Sequence, residues 1–389
     1  MLPLGCSDDP TNAKQPHNSR NTPNEYGDRL QSALALLLAA TLLFNAPAFA
    51  QPAVTTRATA PTNAPPAASA TSPVTALAQS EPDIETLLVV GTQPGPGMWK
   101  VSLNDNVLWI VGSQTPALQK MKWRAKGVEA TVAKAQEVLG EPSLSVSMKQ
   151  IGYFRALTLL PSAMEVQKNP DNGVLRDIIP PAQYARWLVL REKYIEGYNT
   201  EDNDIERWRP VFAALTLYRR AIEKIGMTNR SVVWPVVQAA AKKHKVKITE
   251  VRFAPAIDNA RAAVKELNKT RLEDLDCFVK TLDRIETDIA AMRSRANAWA
   301  VGDIDAIRAL PAIDQRTACI NALQNANAAK LLGVGNLEAK VAETWLTAAE
   351  TALKKNKVTL AVLPMNQLLA PTGYLAQLKA RGYVVEMPE

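Results

Sequence analysis

Met98-Trp99-Lys100-Val101 and Leu108-Trp109-Ile110-Val111-Gly112-Ser113-Gln114-Thr115 decide the fold of this chain. The two apolar runs flank Asn104-Asp105-Asn106, a turn composition, so the stretch predicts a β-hairpin that leaves its second strand at Gly112. A strand that ends on glycine and small polar residues presents side chains at the end of a sheet. Those side chains are Ser113, Gln114 and Thr115, and the functional question is what they meet there.

Working back from the hairpin, Pro94-Gly95-Pro96-Gly97 breaks the chain before its first strand, and Ile84 to Val90 reads as an earlier strand or helical turn. Residues 51–83 are Ala, Pro, Thr and Ser with almost no large apolar side chain, the composition of a flexible tether. Before them, Arg29 precedes the apolar run Leu34 to Phe44, which closes on Ala48-Phe49-Ala50-Gln51. A basic residue, a short apolar run and a small-x-small end read as a secretory signal cleaved after Ala50. A retained membrane anchor is the alternative, less favoured because a span needs about 20 apolar residues. Residues 1–28 are polar, show no apolar periodicity, and read as a misassigned or extended start.

Working forward, Val128, Val132, Ala135 and Leu139 recur at helical spacing, which predicts an amphipathic helix ending at Gly140, with Glu141 next. A short alternating run to Met148 reads as a further strand. The middle of the chain is dominated by helical stripes. One is Phe212, Leu215, Tyr218, Ile222 and Ile225; a longer one runs Leu272, Leu275, Phe278, Leu282, Ile285, Ile289 and Met292. Tyr184, Trp187, Tyr194 and Tyr198 fall near helical spacing and read as core. Lys242-Lys243-His244-Lys245 reads as a helix end favoured by the dipole, and Val246 to Phe253 as a strand. Val341, Trp345, Ala349 and Leu353 predict another helix, Val358 to Leu363 a buried strand stopped by Pro364, Thr372 to Lys379 a short helix, and Tyr383-Val384-Val385 a terminal strand. Strands from both ends and helices from the middle predict an α+β fold, with the sheet built from the N- and C-terminal parts and one domain over 84–389.

Removing residues 1–50 leaves 42 basic against 34 acidic residues. The signs are interleaved and no arginine stripe with spaced aromatics is evident, so no nucleic-acid partner is expected. Cys277 and Cys319 remain, and in an exported chain an even pair reads as one structural disulfide, two buried free thiols being the alternative. There is no G-x-S-x-G elbow, no Walker loop, no G-x-G-x-x-G and no H-E-x-x-H. Gly333-Val334-Gly335 reads as a turn. His244 is the one histidine beyond residue 50, and its lysine-rich surroundings read as solvent-exposed.

The chain resembles the TraB/GumN family, related to the Tiki metalloproteases. The likeness lies in Trp99-Lys100-Val101, in Leu108 to Ser113, in the segment leading to Glu141, in Arg295 to Asp303, and in the ending Gly373-Tyr374-Leu375…Leu378 to Val385. The resemblance implies two G-x-x-H motifs at strand ends and a glutamate after the first helix, the proposed metal site of the proteolytic members. Gly112-Ser113-Gln114-Thr115 carries Thr115 in the first histidine position, and Pro364-Met365-Asn366-Gln367 carries Gln367 in the second. Glu141 alone is kept. A threonine hydroxyl and a glutamine carbonyl are poor replacements for an imidazole as ligands of zinc or manganese, and one histidine cannot build a two-histidine site. No cofactor or metal is therefore expected.

The reading that results is an exported periplasmic or secreted pseudoenzyme of this family, acting as a binding or envelope accessory protein. Its degenerate site would hold Gly112, Ser113, Gln114, Thr115, Glu141, Asn366 and Gln367, uncharged hydrogen-bonding groups around one carboxylate, fit for a peptide, a glycan or an envelope protein. A membrane would be touched only through an uncleaved signal segment. The alternative is a peptidase-like hydrolase that uses Glu141 without histidine.

Overall fold

The computed structural model describes residues 93–145, 153–195, 205–255, 259–311, 313–331 and 336–388. Ile84–Val90, Tyr198 and Gly333-Val334-Gly335 lie outside them. The hairpin forms: β1 (Met98–Leu103) pairs antiparallel with β2 (Asn106–Ser113). The turn works because Asn104 takes a left-handed conformation (φ 51°), which asparagine tolerates better than most residues.

After the hairpin come α1 (Lys126–Lys134), β3 (Glu137–Leu139), α2 (Pro181–Tyr194), α3 (Pro210–Lys224), α4 (Trp234–His244) and β4 (Lys247–Thr249). Then follow α5 (Ala260–Lys269), α6 (Leu275–Thr287), α7 (Ile289–Val301), α8 (Gln315–Gln324) and α9 (Leu337–Lys355). The chain closes with β5 (Val358–Pro364), α10 (Met365–Leu369), α11 (Tyr374–Ala380) and β6 (Val384–Glu386). The six strands make one sheet in the order β6-β1-β2-β5-β3-β4. Strands β2, β5, β3 and β4 are parallel, and β1 and β6 add antiparallel neighbours at one edge. The α+β fold is as the sequence predicts, with β5 from the C-terminus lying between β2 and β3.

Three predicted elements differ. The helix expected to run to Gly140 stops at Lys134: Ala135 turns to extended backbone and Glu137-Val138-Leu139 joins the sheet. Val138 and Leu139 are buried on pairing with β5, a gain that a longer helix would forfeit. The long stripe from Leu272 divides at Asp288 into α6 and α7; Phe278, Leu282, Ile285, Ile289 and Met292 still turn to one core, whereas Leu272 packs on the disulfide cluster and Leu275 is exposed. The strand expected over Val246 to Phe253 is two pieces, β4 and Arg252–Phe253, the second pairing in parallel with Ser143–Leu144.

The sheet and the helices on it share a core of Trp99, Leu108, Ile110, Val138, Leu360, Val362, Trp299, Trp345 and Tyr374, all essentially out of solvent. Full burial of each aliphatic side chain is worth about 1.5–3 kcal/mol. The helical middle has its own core around Trp187, Leu217, Tyr218, Phe278, Leu282 and Met292. A third cluster surrounds Cys277 and Cys319, which are bonded to each other, 42 residues apart and fully buried, their Cα atoms 4.5 Å apart. Among the described residues no helix is long and apolar enough to cross a membrane.

Candidate functional site

The four parallel strands all end at one edge of the sheet, the side on which open parallel sheets commonly place ligands. β2 ends at Ser113, which stands opposite Pro364 at the end of β5. β3 ends at Leu139, so Gly140 and Glu141 leave the sheet on the same side, and β4 ends at Thr249, followed by Glu250. Ser113 Oγ and Glu141 Oε1 are 2.6 Å apart, with the hydroxyl donating. The two predicted loops therefore begin from paired positions of neighbouring strands, and Glu141 meets the first of them.

Two buried tryptophans hold the backbone on which this contact depends. Trp299 of α7 donates its indole N–H to the carbonyl of Gly112 at 2.8 Å, and Trp345 of α9 donates to the carbonyl of Gly140 at 3.1 Å. Each bond falls on the residue just before a site side chain, and each satisfies a carbonyl at a strand end, where the ladder stops. Trp345 stacks edge-on against Tyr374, ring centres 4.9 Å apart. Tyr374 follows Gly373, where a Cβ would overlap the carbonyl oxygen of Gln367; glycine there lets α11 fold back over α10. Burial pushes the Tyr374 hydroxyl well above its ordinary range.

The other predicted residues divide by exposure. Ser113, Gln114 and Gln367 are buried, whereas Thr115 and Asn366 are exposed. Gln114 donates its side-chain amide to the carbonyl of Thr115 at 3.3 Å. The Thr115–Pro116 peptide bond is cis. Among the described residues Gln367 keeps a buried side-chain carbonyl with no hydrogen-bond partner, the kind of spare acceptor that buried polar groups rarely retain.

Glu141 also lines a pocket of about 190 Å³ whose walls do not include Ser113. Its walls are Gly140, Glu141 and Ser143 on one side, Glu250, Val251 and Arg252 on the other, with Ser231 and Trp234 closing it from the start of α4. The pocket exists because the two chains stay bonded before and after Glu141. Gly140 N donates to Thr249 O at 3.0 Å and Ser143 N to Val251 O at 3.1 Å, and Glu141 and Glu250 lie between these bonds. Arg252 pairs with Glu250 at 2.6 Å. At the opposite end of these strands, Glu137 ties β3 to its neighbours by accepting from Thr249, Lys247 and Asn356. Burial alone would raise its carboxyl, but those hydrogen bonds carry it below the ordinary range.

Ser143, Ser231, Trp234, Glu250 and Arg252 were not singled out from the sequence. The signal available for Glu250 was its position: like Glu141, it follows at once on a short β run, Lys247-Ile248-Thr249 against Glu137-Val138-Leu139. His244 is exposed at the end of α4. Among the described residues no group of three or more His, Cys, Asp and Glu is placed to hold a metal ion.

The model of the TraB/PrgY/gumN family matches residues 97–387, well over half of the chain, and the chain belongs to that family. No curated protein matches it.

Proposed function

We propose that this protein binds a small polar ligand, a peptide end or a sugar, at the sheet edge around Glu141, and does not perform metal-dependent proteolysis. The observation that carries the reading is the pocket in which Glu141 stands opposite Glu250 and Arg252 with Trp234 beside them. Carboxylates, a guanidinium, two serine hydroxyls and an indole face are groups that orient sugars and short peptides. Thr115 and Gln367 in place of the family's two histidines support the loss of metal chemistry, and Ser113 holds the remaining carboxylate by a direct hydrogen bond. The apolar run from Leu34 and the Ala48-Phe49-Ala50 end support export to the periplasm or beyond. Sequencing the N-terminus of the protein recovered from cells tests that part, with Gln51 the expected first residue.

Calorimetric titration with oligosaccharides and short peptides is expected to find a ligand, whose affinity falls at least tenfold in Glu141→Gln and in Trp234→Ala. Absence of binding across both panels counts against the reading. A second reading rests on the same pocket: Glu141 and Glu250 face one space, and a carboxylate pair can serve as acid and base in hydrolysis without histidine. Turnover of a peptide library, with or without Mn²⁺, Co²⁺ or Zn²⁺, that vanishes in Glu141→Ala would establish the hydrolase instead.

A further inference from the structure

Between the hairpin and α1 runs Lys120-Met121-Lys122-Trp123-Arg124-Ala125-Lys126, in which exposure alternates residue by residue. Lys120, Lys122, Arg124 and Lys126 point to solvent, while Met121 and Trp123 pack against the core, Trp123 edge-on against Trp299 with ring centres 5.7 Å apart. None of the four cations makes an ion pair with a described carboxylate, unlike Arg186, Arg191, Arg295 and Arg316. Glu129, exposed in the first turn of α1, is the one acidic residue close by in sequence.

This strip is fixed to a second surface. Gln93 donates its N–H to Lys122 O at 3.0 Å and accepts from Arg124 N at 2.7 Å; Gly95 N donates to Ala300 O at 2.8 Å. Gly97 lies against Pro388. The segment 93–97 thus joins the cations to two of the most exposed apolar side chains of the molecule, Val301 (44% exposed) and Met387 (48%). The acidic residues after Val301 are occupied: Asp303 caps the next helical turn at Ala306 N, and Asp305 pairs with Arg308.

We infer that this face, Lys120, Lys122, Arg124 and Lys126 with Val301 and Met387, docks the protein on an anionic lipid surface. A row of cations without an ion pair among the described residues suits any polyanion. Exposed valine and methionine beside the row suit an interface with an apolar layer just beneath its charged groups, and are of no use to a polyanion in water. Lipid contact would also reach the site, because Trp123 packs on Trp299, and Trp299 holds the Gly112 carbonyl next to Ser113.

The test is cosedimentation of the chain from Gln51 onward with vesicles of phosphatidylcholine alone and of phosphatidylcholine with phosphatidylglycerol. The neutral vesicles measure what the exposed apolar side chains contribute. The wild type is expected to prefer the anionic vesicles, and the preference to shrink as salt rises. Each single change to glutamine should weaken it about fivefold, and Lys120→Gln/Lys122→Gln/Arg124→Gln/Lys126→Gln together by roughly 10²–10³-fold. Val301→Ser with Met387→Ser should lower binding to both vesicle types. Thermal melting confirms that the exposed changes leave the fold intact; should the fourfold variant not fold, the single variants carry the measurement. A wild type without preference for anionic vesicles overturns the inference, as does a fourfold variant that keeps it. Tighter capture at equal salt by polyglutamate or single-stranded DNA overturns it in favour of a soluble polyanion.

Discussion

The sheet edge and the helical middle both bury polar groups, and they use them in opposite ways. In the middle, Arg209 is almost wholly buried and donates to the carbonyls of Val166, Thr270 and Leu267, closing the end of α5. Asp274, equally buried, accepts from Val211 N at the start of α3, and Asp288 takes Arg295 at the break between α6 and α7. Every one of these charges is spent on backbone or on another charge. At the sheet edge, the backbone is instead satisfied by neutral indoles, and the charged side chains of Glu141, Glu250 and Arg252, held by Ser113 and by one another, line a pocket. Charge turned inward builds architecture; charge kept at a strand end, with the backbone already satisfied, is what a binding site needs.

The sharpest break of that contrast comes from Arg209→Met. It should destabilise the protein by about 4 kcal/mol in urea unfolding, because several buried carbonyls lose their donor at once. A loss below 1 kcal/mol would mean that this buried cation is not structural. Next, Cys277→Ser with Cys319→Ser opens a loop of 42 residues, at a cost of about 3–4 kcal/mol in the loop-entropy model. An unchanged melting temperature would contradict it.

Asp274 supplies a pH dependence. Burial pushes its carboxyl up to about 6 from an ordinary 3.8. Between those values the native state holds a proton that the unfolded chain has released, so stability falls as pH rises through the window, by about 3 kcal/mol in all. Asp274→Asn cannot titrate and should lack that slope in melts taken from pH 4 to pH 7. An identical slope in the variant would assign the titration elsewhere. At the sheet edge the effects are smaller. Trp299→Phe should cost about 2 kcal/mol, since it strands the Gly112 carbonyl, and should weaken ligand binding along with stability. Ser113→Ala should cost about 1 kcal/mol or less while changing affinity at Glu141, read by the same titration. Equal effects on stability and on binding would blur the distinction between the two regions.

Much of this arrangement can be read from the residues, for unequal reasons. The hairpin is legible because Asn104-Asp105-Asn106 between apolar runs has few other conformations. Val358 to Leu363 is legible because a continuous β-branched and aliphatic run stopped by Pro364 suits a strand buried on both faces. Glu137-Val138-Leu139 is not, since three residues are too few to show a period of two and Ala135 and Leu139 extend the helical spacing before them. The break at Asp288 is hidden because α6 and α7 serve one core and their apolar residues stay in step. Ser113 and Glu141 came forward through the family likeness, and the 2.6 Å contact between them gives that pairing a geometry. Glu250, Arg252 and Trp234 reach the pocket through strand pairing and a helix start far apart in sequence, which no local pattern encodes.

The position of β5 has a consequence for how the molecule is made. Ser113 and Glu141 sit on strands that do not touch each other; the strand between them is synthesised more than two hundred residues later. Until that segment leaves the ribosome, β2 and β3 each expose an unpaired edge, and the parallel half of the sheet cannot close. Such long-range pairing is slow and leaves the waiting edges prone to stick to other chains. A protein shortened before Val358 would keep almost all its helices and both site residues, and would lack the strand that sets Ser113 beside Glu141. That one hydrogen bond therefore reports that the sheet has been completed.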